Sequence, residues 1–113
     1  MPETLFEKII KKEIPAEIIY EDDISIVIKD INPQAPTHLL IIPKKVIPKL
    51  SDANQEDQAI LGHLMLVAGK MSRQLVLDDT FRLIVNNGAK AGQSVFHLHL
   101  HLLSGRVLNW PPG

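Results

Sequence analysis

Cysteine is absent from this sequence of 113 residues, which excludes a disulfide scaffold, a thiolate zinc site, an iron–sulfur centre and a cysteine nucleophile. A strong charge of one sign is also lacking, because 12 lysines and arginines stand against 13 aspartates and glutamates. A nearly neutral chain is not typical of proteins that bind the phosphate backbone of DNA or RNA. The composition therefore predicts no nucleic-acid partner.

Long apolar runs are missing as well. Uninterrupted runs such as 39–42 and 64–68 are far shorter than the roughly 18 residues that a membrane span requires. The first residues show no basic region followed by an apolar stretch, so we expect no secretory signal, no membrane contact and a cytoplasmic protein. With 45% hydrophobic and 22% charged residues, the chain is expected to form one soluble domain over residues 1–113.

The order of the predicted elements indicates an α+β domain. Residues 4–7 have the spacing of a capping box and predict a short helix over about 4–12. A period near 3.6 residues predicts one long helix over 58–76, with Ser51 and Asp52 as candidate caps. β-branched runs between turn-rich segments predict five strands, over 17–20, 24–29, 38–43, 81–86 and 95–103. We expect a mostly antiparallel sheet with the helices on one side.

The last predicted strand contains three histidines at alternate positions. Side chains alternate across a strand, so His97, His99 and His101 would share one face and the leucines between them the other. The leucines are explained as core, but a solvated sheet face ordinarily uses Thr, Lys or Glu. Three interpretations are open: a polar face that happens to be rich in histidine, a metal site, or nucleophilic and acid–base chemistry at phosphorus.

Geometry and acidity separate these interpretations. On a straight strand His97 and His101 lie about 13 Å apart, too far to share one metal, whereas a neighbouring pair completed by His38 or a carboxylate still could. Neutral imidazole is a nucleophile near pH 7 because its pKa is about 6.5, and a second, protonated imidazole can donate to a leaving group. Repulsion between like charges divides these roles. The residues favour phosphorus chemistry, with a pairwise metal site as the alternative.

The loop before the histidines has small residues that suit an anion. Gly88, Gly92, Gln93 and Ser94 offer backbone N–H groups and a hydroxyl where the strand begins. A flexible hairpin loop with Asn-Gly turn chemistry at 87–88 is the alternative interpretation. Three histidines beside the loop favour the phosphate interpretation without excluding the hairpin.

Several segments resemble the histidine triad family. Residues 97–103 are similar to its pattern His-x-His-x-His-x-x, in which each x is apolar. Similarity to the Hint branch, the histidine triad nucleotide-binding proteins, extends from about Leu5 to Gly113. The segments that carry it are 6–10, 13–16, 30–38, 42–45, 92–95 and 110–113.

The resemblance implies a fold, an activity and partners. It implies a five-stranded antiparallel sheet that joins the sheet of a second subunit in a homodimer. It also implies a purine nucleoside phosphoramidase that hydrolyses the P–N bond of nucleoside 5′-phosphoramidates, and also aminoacyl adenylates, without a metal or other cofactor. Its ligands would be purine nucleotides such as AMP. The alternatives are a dinucleoside polyphosphate hydrolase of a sister branch, or a nucleotide- or metal-binding interaction protein with weak catalysis.

The resemblance further implies a role for each matching residue. His99 would be the nucleophile, His101 would contact the phosphate and protonate the leaving group, and His97 and His38 would complete the imidazole network. Asp30 would accept hydrogen bonds from the ribose hydroxyls. The other implied contacts are Asn86, Gly92 and Ser94 near the phosphate, Phe6, Ile9, Ile14, Ile28 and Ile31 around the base, and Trp110 reaching the neighbouring subunit.

Some of these residues also have a simpler structural interpretation. Asp30 precedes a turn-rich segment and would serve there as a turn residue, and the apolar residues of the base slot would serve as core. Three positions depart from the Hint pattern, which often has an aromatic residue, a histidine and an acidic residue where Ile28, Val46 and Asn87 stand. The first two departures bear on the nucleotide base, whereas the triad itself is intact.

Overall fold

One antiparallel sheet of five strands organises the structure, a computed structural model that describes residues 2–113. The strands are β1 (Ile18–Glu21), β2 (Ser25–Lys29), β3 (Thr37–Pro43), β4 (Arg82–Ile84) and β5 (Leu100–Ser104). They lie in the order β1-β2-β3-β5-β4, and the neighbouring strands run antiparallel. The helices are α1 (Leu5–Ile10) and α2 (Gln58–Gln74). The expected α+β class with five antiparallel strands is confirmed.

The start of α1 matches the predicted capping box. The Thr4 hydroxyl accepts a hydrogen bond from the Glu7 N–H at 3.0 Å, and the Glu7 carboxylate accepts one from the Thr4 N–H at 2.9 Å. The pair thereby satisfies backbone donors that the helix itself leaves without a partner. The helix ends at Ile10, earlier than expected, because Lys11 is its C-cap and Lys12 has a left-handed φ of 65°.

The long helix α2 is confirmed by its buried stripe. It ends at Gln74, two residues before the predicted end, and Leu75 directly after it is 43% exposed. The side chains of the helix that pack on the sheet include Leu64, Val67, Ala68 and Met71. Within residues 2–113, no helix combines the length and the apolar character needed to cross a membrane.

The two helices cover opposite faces of the sheet, so the expectation of helices on one side is wrong. Strands β2 and β3 are apolar on both faces, and each face therefore needs a covering element. The cluster on the α2 face includes Val27, Leu39, Ile41, Leu64, Val67 and Met71. The cluster on the α1 face consists of Phe6, Ile9, Ile26, Ile28, Leu40 and Ile42.

The strand that carries the histidines is shorter than predicted. It begins at Leu100 instead of Val95, so that His101 lies in the strand while the other two histidines precede it. Continuing the β3–β5 register would place Leu98 opposite Pro43, which has no N–H for the ladder. The chain therefore leaves the sheet before Leu100. The leucines nevertheless share the α2 face, as the alternation predicted.

Other ends of elements also differ from the prediction. Strand β4 covers Arg82–Ile84 rather than 81–86. The expected caps of α2, residues 51–52, lie in a separate 3-10 turn, and Asp57 directly precedes the helix without a side-chain cap. The buried Asp57 carboxylate instead accepts a hydrogen bond from Lys45 at 2.6 Å, which joins the start of α2 to the end of β3.

Candidate active site

Four histidines meet on the sheet face that α1 covers. His38 lies in β3, and His101 lies opposite Leu40 in the neighbouring β5. His97 and His99 come from the segment directly before β5. The ring centroids of His38 and His101 are 5.2 Å apart, and those of His99 and His101 are 5.0 Å apart. The structure thus brings together all four histidines that the sequence singled out.

The ring of His97 is held on both sides. Its Nδ1 lies 2.9 Å from the Thr4 hydroxyl, and its Nε2 lies 2.7 Å from the Pro43 carbonyl. A carbonyl oxygen can only accept, so the proton sits on Nε2. Burial lowers the pKa of His97, and the hydrogen bond to Pro43 only partly opposes this. The surroundings therefore favour a neutral ring with its lone pair on Nδ1.

His99 presents a nitrogen lone pair to the site. Its Nδ1 lies 2.8 Å from the backbone carbonyl of His97 and must therefore donate its proton there. The Phe6 ring packs edge-on against His99 at a centroid distance of 4.9 Å. Burial lowers the pKa of His99, so the ring is neutral near pH 7. Neutral His99 consequently carries its lone pair on Nε2, as a nucleophile requires.

The protons of His38 and His101 are fixed by one chain of hydrogen bonds. The Gln34 N–H donates to Nδ1 of His38 at 3.0 Å, so His38 carries its own proton on Nε2. That proton points at Nδ1 of His101, 2.9 Å away, and His101 then has its proton on Nε2. Burial, followed by repulsion from His99 and His38, lowers the pKa of His101 to about 4 despite the attraction of Asp30. His101 is thus a neutral hydrogen-bond donor at pH 7.

The same chain of hydrogen bonds bears on the alternative of a metal site. Asp30, His38 and His101 each place one ligand atom within 4.8 Å of the others, a spacing that suits a metal ion. A metal there would need a lone pair on Nε2 of His38. The Gln34 N–H, however, occupies the lone pair of Nδ1, so the neutral ring must keep its proton on Nε2. Asp30, His38 and His101 therefore suit a chain of hydrogen bonds better than they suit a metal ion.

Asp30 directly follows the last residue of β2 and lies beside the histidines. One carboxylate oxygen accepts from the Asn32 N–H at 2.8 Å, in the turn role that the sequence allowed. The other oxygen lies 3.4 Å from Nε2 of His38, and the side chain is 18% exposed. A cavity of about 300 Å³ adjoins both side chains, with further walls from Lys29, Pro33, Pro36 and Thr37. Asp30 therefore connects the histidines to an accessible cavity.

The loop before the histidines is held in place by the buried side chain of Gln93. This side chain is 3% exposed; its oxygen accepts from the Gly88 N–H at 2.8 Å, and its nitrogen donates to the carbonyls of Pro48 at 2.7 Å and Val95 at 3.1 Å. Gln93 therefore faces the interior and does not offer its side chain to an anion. Sequence reasoning missed this supporting role, although a glutamine among small residues was a usable signal.

Two of the residues that the resemblance places near the phosphate, Asn86 and Gly92, lie against each other. Gly92 has a φ of 105°, and a Cβ there would lie 3.4 Å from Nδ2 of Asn86. Ser94 is exposed on the stretch that leads to the histidines. The loop joins the antiparallel strands β4 and β5, and a 3-10 turn over Ala89–Ala91 directly follows Asn87-Gly88. Gly92 is required because side chains rarely tolerate its backbone conformation.

The residues implied for the nucleotide base divide into two groups. Phe6, Ile9 and Ile28 are buried in the cluster on the α1 face, and half-buried Ile14 packs against them. Phe6 contacts His97 as well as His99, so this group lies directly behind the triad. Ile31 and Trp110 instead project from the surface, with 99% and 81% exposure. The first group forms core, and the second is available to a ligand or another chain.

Comparison with known proteins shows the family. Residues 11–108 match the HIT domain family, and the chain belongs to it. An uncharacterized HIT-like protein from Synechocystis sp. is 59% identical over 111 residues, covering 98% of this chain and 97% of that protein. A 14 kDa zinc-binding protein from Zea mays is 50% identical over 112 residues, covering 97% of this chain and 88% of that protein. The expected histidine triad family is confirmed.

Solved structures extend this finding to the fold. A HIT family hydrolase from Legionella pneumophila superimposes with a TM-score of 0.95 at 46% identity, covering 98% of this chain and all of that one. A histidine triad nucleotide-binding protein from Candida albicans gives a TM-score of 0.81 at 33% identity, covering 96% and 83%. The fold of this chain is thus that of solved HIT family proteins, one named a hydrolase and another a nucleotide-binding protein.

Proposed function

We propose that this protein is a purine nucleoside phosphoramidase, which hydrolyses the P–N bond of nucleoside 5′-phosphoramidates and also acts on aminoacyl adenylates. The observation that carries this proposal is the lone pair on Nε2 of His99, on a buried neutral ring whose Nδ1–H is held by the His97 carbonyl at 2.8 Å. The similarity of this chain to a solved HIT family hydrolase and to a nucleotide-binding protein supports the proposal.

The first chemical step forms a nucleotidyl-histidine. Nε2 of His99 attacks the α-phosphorus, the P–N bond breaks, and the departing nitrogen keeps the electron pair and takes up a proton. An amide anion is a poor leaving group, so the proton transfer matters most, and general acid catalysis contributes roughly 10²–10⁴-fold. Water then attacks the phosphorus, releasing the nucleoside monophosphate and restoring His99. The covalent intermediate replaces one difficult displacement with two easier ones.

We assign the proton donation to His101, whose Nε2–H faces away from His38. The pKa of His101 is about 4 without a ligand, and a bound phosphoramidate anion raises it because opposite charge favours the protonated ring. Protonation of Nδ1 displaces the N–H of His38 from its partner. That N–H can then turn to the Asp30 carboxylate, which lies 3.4 Å away. The acid is thus charged only when substrate is bound.

The nucleotide contacts follow from the same site. Asp30 binds the ribose hydroxyls at the mouth of the 300 Å³ cavity, and Asn86, Gly92 and Ser94 hold the phosphate. Ile31 contacts the base from its exposed position, over the apolar group behind the triad. No metal or other cofactor takes part in either step.

We also propose that the protein is a homodimer. Strand β4 is the last strand of the sheet, and an edge strand offers unpaired N–H and C=O groups to a second chain. Exposed apolar side chains on and after α2 offer further area to a partner: Met65, Leu66 and Val76 are 55%, 74% and 75% exposed. Antiparallel pairing of two β4 strands would give one continuous sheet and place Trp110 near the partner. Sedimentation equilibrium should then report twice the chain mass.

The function is tested by steady-state hydrolysis of adenosine 5′-phosphoramidate in the presence of EDTA. We expect turnover by the wild type and a loss of at least roughly 10³-fold in kcat for His99→Ala, with AMP binding retained in calorimetry. His63→Gln, a change in a histidine on α2, should behave as wild type. Equal turnover by wild type and His99→Ala would contradict the proposal.

A wild type without turnover would direct the assay to dinucleoside polyphosphates. Cleavage of those substrates would place the protein in the sister branch. Tight AMP binding without cleavage of either substrate would instead indicate a nucleotide-binding protein. Zinc retained stoichiometrically through dialysis, and required for folding, would support the metal-binding alternative.

A further inference from the structure

Helix α1 contributes to the histidine site although it lies outside the part of the chain that matches the HIT domain. The family match begins at residue 11, whereas Thr4 and Phe6 both precede it. Phe6 packs edge-on against His97 and His99, at centroid distances of 5.8 Å and 4.9 Å. The Thr4 hydroxyl lies 2.9 Å from Nδ1 of His97. These two side chains therefore support the histidines from a helix that precedes residues 11–108.

The other hydrogen bonds of Thr4 and His97 show which group donates in the contact between them. The Thr4 oxygen already accepts from the Glu7 N–H at 3.0 Å, and its one hydroxyl proton remains to be donated. Nδ1 of His97 is an acceptor, because the Pro43 carbonyl holds the proton of the ring on Nε2 at 2.7 Å. The hydroxyl proton therefore points at His97. One side chain therefore caps α1 and holds the His97 ring at Nδ1.

We propose that Thr4 is a positioning residue of the active site, whose hydroxyl holds the His97 ring so that the His97 carbonyl can orient His99. The His97 ring is anchored at Nδ1 by Thr4 and at Nε2 by Pro43. Its own backbone carbonyl binds Nδ1–H of His99 at 2.8 Å, and this leaves the lone pair of His99 on Nε2. The inference rests on the proposed function, in which that lone pair is the nucleophile.

The chemistry of the two roles of Thr4 allows them to be separated. Capping needs only an oxygen that accepts, and Asp caps helices as well as Ser or Thr does. The contact with His97 needs a proton that Thr4 donates. Thr4→Ser therefore preserves both roles, whereas Thr4→Asp preserves the cap and removes the donor. Glu7→Ala does the reverse, because it weakens the capping box and leaves the hydroxyl in place.

Kinetics of adenosine 5′-phosphoramidate hydrolysis and ¹⁵N NMR of the imidazole rings test the proposal on the full chain. Thr4→Ser should keep kcat within about twofold, and Thr4→Asp should lower kcat on the order of 10-fold with little change in KM. Glu7→Ala should lower the melting temperature without a matching loss of kcat. In the wild type, Nδ1 of His97 should resonate as an unprotonated nitrogen, and in Thr4→Asp as a protonated one.

Several results would overturn the assignment. One is a wild-type kcat in Thr4→Asp, with or without a proton on Nδ1 of His97. Another is an equal loss of kcat in Glu7→Ala, which would reduce Thr4 to a helix cap. An inactive wild type would refute the proposed function separately. In that case, a protonated Nδ1 of His97 in the wild type would overturn the contact with Thr4 as well, because NMR reads the tautomer without turnover.

Discussion

Replacement of Gln93 by leucine tests whether a buried amide holds the loop next to the histidines. The amide makes three hydrogen bonds, one from the Gly88 N–H and two to the carbonyls of Pro48 and Val95. Each such bond contributes about 0.5–1.5 kcal/mol net, and the abandoned partners are costly to leave unsatisfied. Since leucine fills similar space, we expect the free energy of unfolding to fall by about 2–4 kcal/mol.

Urea unfolding followed by circular dichroism measures this change. All variants are compared at one protein concentration, because the proposed dimer makes the midpoint depend on it. Gln74→Leu is the matched control, since Gln74 is the exposed last residue of α2 and its replacement should change stability by less than about 0.5 kcal/mol. KM for the phosphoramidate should also rise in Gln93→Leu, because Gly92 and Ser94 lose their support.

The reasoning would be refuted by a small effect. If Gln93→Leu lost no more stability than Gln74→Leu, the three hydrogen bonds would not be holding the loop. A normal KM together with a large loss of stability would separate the loop from substrate binding. In that case Gln93 would support the fold alone.

The remaining predictions concern Asp30 and pH. Asp30→Asn should weaken AMP binding about 10-fold in calorimetry, because an amide accepts the ribose hydroxyls less strongly than a carboxylate does, and an unchanged affinity would remove Asp30 from that role. Burial lowers the pKa values of His97, His99 and His101, so the unfolded chain binds more protons than the folded one below about pH 6.5. The melting temperature should therefore fall as the pH decreases from about 6.5 towards 4. His101→Asn should flatten this dependence of the melting temperature on pH. A wild-type melting temperature independent of pH would contradict the argument.

The elements with strong local signals could be predicted from the sequence. The capping box of Thr4 and Glu7 indicated α1, and the helical period indicated α2 over Gln58–Gln74. The alternation of leucine and histidine indicated that the leucines are core and that the histidines face away from them. Each of these signals depends on neighbours within one or two turns of chain. A single sequence contains that information directly.

The ends of the strands could not be predicted in the same way. Residues 95–99 have the composition of a strand, but the continued register would place Leu98 opposite Pro43, and the missing N–H of that proline ends the ladder at Leu100. The side of the sheet that α1 covers could likewise not be predicted from the sequence. It depends on Ile26 and Ile28 facing away from α2, which only the assembled sheet shows.

Local patterns in the sequence by themselves determined the fold class, the two helices and the histidines as the centre of chemistry, and the likeness of longer segments determined the family. The tertiary structure decided which nitrogen of each ring carries a proton, because those protons are set by the Gln34 N–H and by the carbonyls of Pro43 and His97. It also decided that Gln93 supports the loop rather than facing a ligand. Thr4 and Pro43 lie 93 and 54 residues from His97 along the chain, and hydrogen-bond direction exists only once folding has brought such partners within about 3 Å.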